Sequence, residues 1–204
     1  MSRFSGFFRP DNSLWRTVSA VADMMGLSLL WLLCSLPVVT IGPATAALYA
    51  AVRGPVRRME NGAFTTFFHS LRENLKTGIL VTVPLLLFSA AVAWCCWIIW
   101  QMALAGNPAA YALVFFAAVL CVFLLGLFGY LFPTLARFEY SPGGLLRVCF
   151  MLAVAHLPST LLLSLLLLAG AYALWLNWCT LLFVPAVLAL LSSFLLERIY
   201  RKHM

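Results

Sequence analysis

The sequence predicts an all-α, polytopic membrane protein with about five full spans and one short or re-entrant return helix. Of the 204 residues, 64% are apolar and 9% are charged, whereas soluble domains are nearer half apolar and a quarter charged. The apolar runs, such as residues 79–100 and 111–132, are continuous and long enough to cross a bilayer as helices. They lack the alternation of β-barrel strands. We therefore expect one integral membrane domain over residues 1–204.

The distribution of basic residues predicts the topology. The 13 Lys and Arg residues flank apolar runs and do not form a separate basic domain. If the N-terminus is cytoplasmic and residues 36–53 return the chain to the cytoplasmic side, all 13 Lys and Arg residues are cytoplasmic. The positive-inside rule requires this distribution. This arrangement gives three hairpins with both termini in the cytoplasm. We expect the charge to set orientation, and we expect no nucleic-acid partner.

The N-terminal segment, residues 1–13, precedes the first span. Phe4, Phe7 and Phe8 lie at helical spacing beside arginines, which is typical of a short interfacial anchor. A frayed terminus is the alternative. The first span covers about residues 14–36, and no signal-peptide cleavage pattern follows it.

The return segment, residues 36–53, reads LPVVTIGPATAALYAAVR. Its helical part, residues 41–52, is roughly 18 Å long, against a hydrocarbon core of ~30 Å. Two interpretations are open. A helix break at residues 40–43 lies inside the membrane and forms a re-entrant cavity wall, or the segment tilts and borrows residues as far as Met59 after a tight outer turn.

The next segment is basic and contains an amphipathic helix at residues 63–77, which we expect to lie at the cytoplasmic interface and to continue into the following span. Its apolar residues recur at steps of three and four. This face either contacts lipid or packs on the rest of the chain, or it docks on a soluble partner. The candidate contact residues are Arg53, Arg57, Arg58, Phe64, Phe67, Phe68, Arg72 and Lys76.

The remaining spans are expected at about residues 78–104, 109–132, 147–170 and 175–196. The turn at residues 105–108 is uncharged, whereas the turn at residues 137–147 and the C-terminal tail carry charges. The six cysteines lie in or beside the apolar runs without metal-ligand spacing. We interpret them as small packing residues.

Ionisable residues inside apolar runs are candidate functional or structural groups. Asp23 lies seven residues beyond Arg16, and His156 lies nine beyond Arg147. Their depths along the helices are therefore similar, roughly 10 and 13 Å. We hypothesise that Asp23 and His156 approach each other, either as a structural hydrogen-bonded pair or as part of a polar cavity.

The return segment adds further candidate polar or structural positions. Its hydroxyl groups either line a cavity or satisfy the carbonyl groups that the prolines leave without an N–H partner. These positions are Thr40, Gly42, Pro43, Thr45 and Tyr49.

Catalytic signatures are missing from the sequence. No HExxH, GxSxG or Walker-type glycine loop occurs, and six acidic residues leave few candidates for acid–base or metal chemistry. We expect no enzyme activity, no catalytic residue, no cofactor and no metal site.

Four blocks resemble the YesL-like family of bacterial membrane proteins, a domain of unknown function. They read LLWLLCSLPVVTIGPATAALYAAVR, FTTFFHSLRENLKTG, LFPTLARFEYS and LAVAHLP. The resemblance implies a small multi-pass protein of the bacterial cytoplasmic (inner) membrane, often encoded near oligosaccharide ABC transporters and polysaccharide-degrading enzymes. It supplies no established catalytic residue.

The first functional hypothesis is a non-enzymatic accessory or regulatory component of carbohydrate (oligosaccharide) ABC uptake. Its expected partners are the lipid bilayer and ABC transporter permease subunits. The alternative is a small transporter or channel with a polar path near Asp23, His156 and the break at residues 40–43. The sequence lacks the EAA-type coupling signature of an ABC permease, so the chain is not expected to be the permease itself.

Overall fold

The computed structural model describes residues 13–57, 62–138 and 140–203, with the backbone alone for residues 13–17, 178–179 and 198–203. This part of the chain is helical and contains no strand. Residues 1–12 of the predicted interfacial segment and the candidate contact Arg58 lie outside it. The α-helices are α1 (Ser13–Ser35), α2 (Ile41–Ala51), α3 (Ala63–Leu104), α4 (Pro108–Leu135), α5 (Pro142–Ala155), α6 (Leu157–Leu176) and α7 (Val184–His203).

Four of the described helices are long and apolar enough to cross a membrane, as the continuous apolar runs predict. They are α1 through its stretch Val18–Ser35, α3, α4 and α6. Helix α5 and the Val184–Glu197 part of α7 are apolar but shorter. The all-helical class is confirmed for the described residues. The predicted number of spans, the three hairpins and the cytoplasmic termini stay predictions.

Helix α2 is the middle of a longer helical return segment. A 3₁₀ turn, Val38–Thr40, leads into α2, and a π-helical turn, Val52–Val56, continues it. Residues 38–56 are thus helical over roughly 28 Å at α-helical rise, close to the ~30 Å of a hydrocarbon core. The helix thus borrows residues beyond Val52, as one of the two interpretations expected. The estimate of roughly 18 Å was too short because it counted residues 41–52 alone.

The predicted helix break at residues 40–43 is instead the beginning of a helix. Pro43 lies in the first turn of α2, where the missing N–H of proline would have had no intrahelical partner. Gly42 and Pro43 are both buried against α3. A Cβ atom on Gly78 of α3 would lie 2.6 Å from Cγ of Pro43. This small-residue packing makes α2 central, and α2 also contacts α1, α4 and α7.

Helix α3 is one continuous helix of 42 residues, roughly 63 Å long. The amphipathic segment at residues 63–77 therefore runs on into the next predicted span, as expected. Its inner side packs on protein, because Phe67 lies in an apolar cluster with Leu27 of α1, Val52 and Val56.

The predicted span at residues 147–170 is divided in the structure. Helix α5 ends before His156, whose backbone is non-helical (φ −123°, ψ 54°), and α6 begins at Leu157. The cause is Pro158, whose ring clashes with the carbonyl of the fourth residue before it and which cannot donate a backbone hydrogen bond. The hydroxyl of Thr160 donates to the carbonyl of Ala153, 2.8 Å away, and so satisfies a group at the break.

The distal hairpin, residues 87–120, joins the second half of α3 to the first half of α4. Most of its residues are exposed, whereas Ala103 and Ala110 are buried where the two helices meet. The sulfur atoms of Cys96 and Cys121 lie 3.7 Å apart in the same seam. Exposed aromatic side chains such as Trp94 form a continuous apolar surface of the kind that lipid or another protein covers.

Candidate functional site

One face of the return segment carries four polar side chains at intervals of four residues: Thr45, Tyr49, Arg53 and Arg57. Residues four apart on a helix lie on the same face. The stripe leads from the interior of the bundle to the end that carries the arginines, which we name the basic end. Buried neighbours from α1, α4 and α7 surround its inner part.

The threonines of the return segment satisfy backbone carbonyls, one of the two alternatives expected from the sequence. The Thr40 hydroxyl contacts the carbonyl oxygen of Cys34 and that of Pro37, the latter at 2.8 Å. The Thr45 hydroxyl donates to the carbonyl of Ile41 at 2.7 Å and accepts from the indole N–H of Trp31 at 3.0 Å. The Trp31 contact ties α1 to α2.

A cavity of about 290 Å³ lies among α1, α2, α4, α6 and α7. Pockets for small molecules begin at about 300 Å³, so this cavity can hold a slender ligand. Its walls are apolar apart from a few polar groups contributed by Trp31, Thr45, Tyr49 and Ser192. Of the described residues that line it, Ala171 on α6 is the exposed one.

Tyr49 connects this cavity to the basic end. Its side chain is 2% exposed and lines the cavity, and its hydroxyl has no hydrogen-bond partner among the described residues. A buried hydroxyl without a partner costs about 1–3 kcal/mol. The charges of the described residues that act on this hydroxyl are those of Arg53, Glu197, Arg137 and Arg57, three positive and one negative.

The basic end is held by one carboxylate from α7. Glu197 Oε1 accepts a hydrogen bond from Arg53 Nε at 3.1 Å, and Oε2 accepts one from Arg57 Nη1. The Arg57 guanidinium also lies 4.3 Å from the ring centroid of Phe194, a cation–π contact. Partial burial alone would raise the pKa of Glu197, but the two arginines outweigh it and lower that pKa below its usual value.

These pairs change the interpretation of the predicted contact residues. Arg53 and Arg57 were expected to contact a partner or lipid, yet both are half-buried and paired with Glu197 within the chain. Phe67 is fully buried and contributes to the core, so it cannot contact a partner. Sequence reasoning overlooked Glu197. An acidic residue at the end of an apolar run, on the same predicted side of the membrane as the arginines, was a signal that could have identified it.

The four remaining contact candidates form one exposed face of α3, which we name the aromatic–basic stripe: Phe64, Phe68, Arg72 and Lys76. Phe64 is 40% exposed and Phe68 is 44% exposed. Since they follow each other at intervals of four residues, the two rings and the two cations share one side of the helix. Phe64 also packs on Gly26 of α1, which fixes one end of the stripe against the bundle.

The structure does not bring Asp23 and His156 together. Helix α1, which carries Asp23, packs against α2, α3 and α7 and contacts neither α5 nor α6. His156 lies at the junction of α5 and α6. Neither residue lines the central cavity. The hypothesis that they form a pair or share a polar cavity is therefore wrong for this structure.

No group of three or more His, Cys, Asp or Glu side chains that could hold a metal ion occurs in the described ranges.

Residues 24–94 match a family model described as a protein of unknown function, DUF624. The match covers the second half of α1, all of α2 and α3 as far as Trp94, and thus includes the polar stripe of the return segment and the aromatic–basic stripe. No curated protein and no solved structure matches the chain.

Proposed function

We propose that the chain is a multi-pass protein of the bacterial cytoplasmic membrane, of YesL-like type, that acts as a non-enzymatic accessory or regulatory subunit of carbohydrate (oligosaccharide) ABC uptake. The observation that carries this proposal is the aromatic–basic stripe. It presents exposed phenylalanine rings beside two cations on one face of α3, a composition suited to an interface at the level of lipid headgroups or of a neighbouring subunit.

The orientation in the proposal follows from charge. Two arginines, Arg53 and Arg57, lie in the second half of the return segment. Two further cations, Arg72 and Lys76, lie in the first half of α3, which is remote from the distal hairpin. Positive residues favour the cytoplasmic side of a membrane. The basic end is therefore placed in the cytoplasm, with the distal hairpin directed towards the opposite side.

The geometry supports an accessory role more than the alternative of a transporter or channel. A path for a polar solute needs polar groups along its length, whereas the central cavity has apolar walls and omits Asp23 and His156. The residues expected to mark the path, 40–43, are packed against α3 by Gly42 and Pro43.

Site-specific photocrosslinking tests the proposed partner. A benzoylphenylalanine at Phe68, in the aromatic–basic stripe, is expected to crosslink in native membranes to a permease or ATPase subunit of a carbohydrate ABC transporter, identified by peptide mass spectrometry. Phe116, an exposed aromatic residue of the distal hairpin, provides the control and is expected to capture lipid. If the crosslinked product of the Phe68 variant contained no transporter peptides, the proposal would be refuted.

A further inference from the structure

We infer that Cys96 of α3 and Cys121 of α4 form a reversible disulfide bond, with a quinone dissolved in the bilayer as the two-electron oxidant. The pair is then a modification site that ties the two helices of the distal hairpin to each other. This inference requires that the distal hairpin lies in a membrane. It does not depend on the partner surface on α3 or on a role in carbohydrate uptake.

The two thiols are already in contact. Sγ of Cys96 lies 3.7 Å from Sγ of Cys121, within van der Waals reach. A disulfide bond is about 2.05 Å long, so the sulfur atoms must approach each other by roughly 1.7 Å. Ala103 and Ala110 are buried where α3 and α4 meet. Because small residues let the helix backbones approach closely, adjustment of the two cysteine side chains can close the remaining gap.

Both thiols can be reached by a molecule dissolved in lipid. Each is partly exposed, and the neighbouring surface, which includes Cys95 and Trp97, is exposed as well. Cys149, in contrast, is fully buried in the core. Reversible oxidation favours thiols that are accessible and that lie beside a second thiol, which resolves the first product. Cys96 and Cys121 meet both conditions.

The depth of the pair determines the class of oxidant. Cys96 lies eight residues before the end of α3 at Leu104, and Cys121 lies thirteen residues after the start of α4 at Pro108. These intervals correspond to roughly 12 and 20 Å of helix, which places the sulfur atoms within a hydrocarbon core of ~30 Å. A polar, water-soluble disulfide would have to lose its hydration to reach them. A quinone, in contrast, dissolves in the hydrocarbon.

The oxidation balances as a two-electron transfer. The sulfur of one thiol adds to a carbon of the quinone ring, and the proton of that thiol passes to a quinone oxygen. The sulfur of the second thiol then attacks the first sulfur, so that the S–S bond forms and the carbon–sulfur bond breaks. The electron pair of the broken bond remains on the ring, and the second proton reaches the other quinone oxygen. The products are one disulfide and one hydroquinone.

The test uses the reduced full chain in phosphatidylcholine nanodiscs and decylubiquinone as the probe. After incubation, the protein is unfolded in detergent, its free thiols are alkylated with N-ethylmaleimide, and an unreduced digest is analysed by tandem mass spectrometry. We expect a peptide in which Cys96 is linked to Cys121 while the adjacent Cys95 is alkylated. Dithiothreitol should restore both thiols. Full alkylation of Cys96 and Cys121 after treatment with the quinone would overturn the proposal.

A water-soluble oxidant distinguishes the two oxidant classes. Glutathione disulfide should form the crosslink at least about tenfold more slowly than decylubiquinone at equal concentration, because its access to the pair is limited. The loss of quinone absorbance should match the amount of disulfide formed, mole for mole. Equal crosslinking rates for the two oxidants, or a crosslink that forms without consumption of quinone, would refute the assignment of a quinone.

Substitutions distinguish this pair from the neighbouring thiol. Cys95→Ser, at an exposed position beside the pair, is the matched control and should crosslink at the wild-type rate. Cys96→Ser should abolish the crosslink and leave Cys121 free to be alkylated. Its melting temperature shows whether it folds, and if it does not, the wild-type chain and Cys95→Ser still decide the question. A link from Cys95 to Cys121, or a disulfide between two copies of the chain on an unreduced gel, would refute the pairing.

Discussion

Gly42 of α2 and Thr82 of α3 are in such close contact that a Cβ atom on the glycine would lie 1.8 Å from the threonine Oγ1. Thr82 is fully buried, so neither partner can move into free space. In a bilayer, helices associate through small residues that let backbones approach. This contact, together with that of Pro43 and Gly78, fixes the position of the return segment against the longest helix.

We expect Gly42→Ala to destabilise the protein by about 1–3 kcal/mol, because the added methyl group overpacks the contact. The melting temperature, followed by tryptophan fluorescence in detergent, should fall. Gly143→Ala is the control, since a Cβ there meets nothing within 4 Å. Replacing Thr82 by Gly in the Gly42→Ala background should restore part of the loss. Unchanged melting of the single variant would show that the helices do not touch here.

The contact between α4 and α6 allows a more selective double substitution. A Cβ on Gly126 would lie 2.2 Å from Cγ2 of Thr160, so Gly126→Ala should lower stability by about 1–3 kcal/mol. Thr160→Ser removes this methyl group and keeps the hydroxyl that bonds to the carbonyl of Ala153. The double variant should therefore be more stable than Gly126→Ala, as measured by thermal unfolding. If the double variant instead lost as much stability as the two single variants together, the result would argue against the contact.

Stability should depend on pH through Glu197. Because its pKa is lower in the folded chain than its usual value of about 4.5, the arginine pairs stabilise the fold above that value, and the contribution is lost as the pH falls through the lower folded pKa. We expect melting temperatures to decrease below about pH 4.5, and less steeply in Glu197→Gln. Glu73→Gln, at an exposed position, should retain the wild-type slope. Identical slopes for Glu197→Gln and wild type would contradict a role for the carboxylate.

The orientation can be measured by cysteine labelling in a variant whose native cysteines are replaced. Ala105→Cys, at the tip of the distal hairpin, should react with a membrane-impermeant maleimide added to intact spheroplasts. Gly143→Cys, in the first turn of α5, should react only after permeabilisation. Both positions are accessible, so differences report sidedness and not burial. The reverse pattern would invert the predicted topology.

The apolar runs were sufficient to predict the helices but not all of their boundaries. The continuity of residues 63–77 with the following span was predicted from periodicity and is present in α3. The break at His156 was missed, although Pro158 was a visible signal, because the run around it is long and uniformly apolar. The extension of α2 by 3₁₀ and π turns has no periodic signature and depends on packing against α3.

The candidate site was less predictable than the fold because its contacts join distant segments. Tyr49 was selected from the sequence as a polar residue in an apolar run, and the structure places it at a cavity wall. Its neighbours there come from four other helices, and a single sequence contains no information on which faces meet. Asp23 and His156 matched in depth along their helices, yet depth alone could not indicate that α1 and the α5–α6 junction lie apart.

The pairing of Arg53 with Glu197 also has a consequence for the order of assembly. The two residues are 144 positions apart in the chain, and Glu197 lies near the end of the last helix. During synthesis the return segment therefore exists for a long interval before its counter-ion is made. The arginines must remain in water or at lipid headgroups during this time, so their paired arrangement can form only after α7 has been synthesised as far as Glu197.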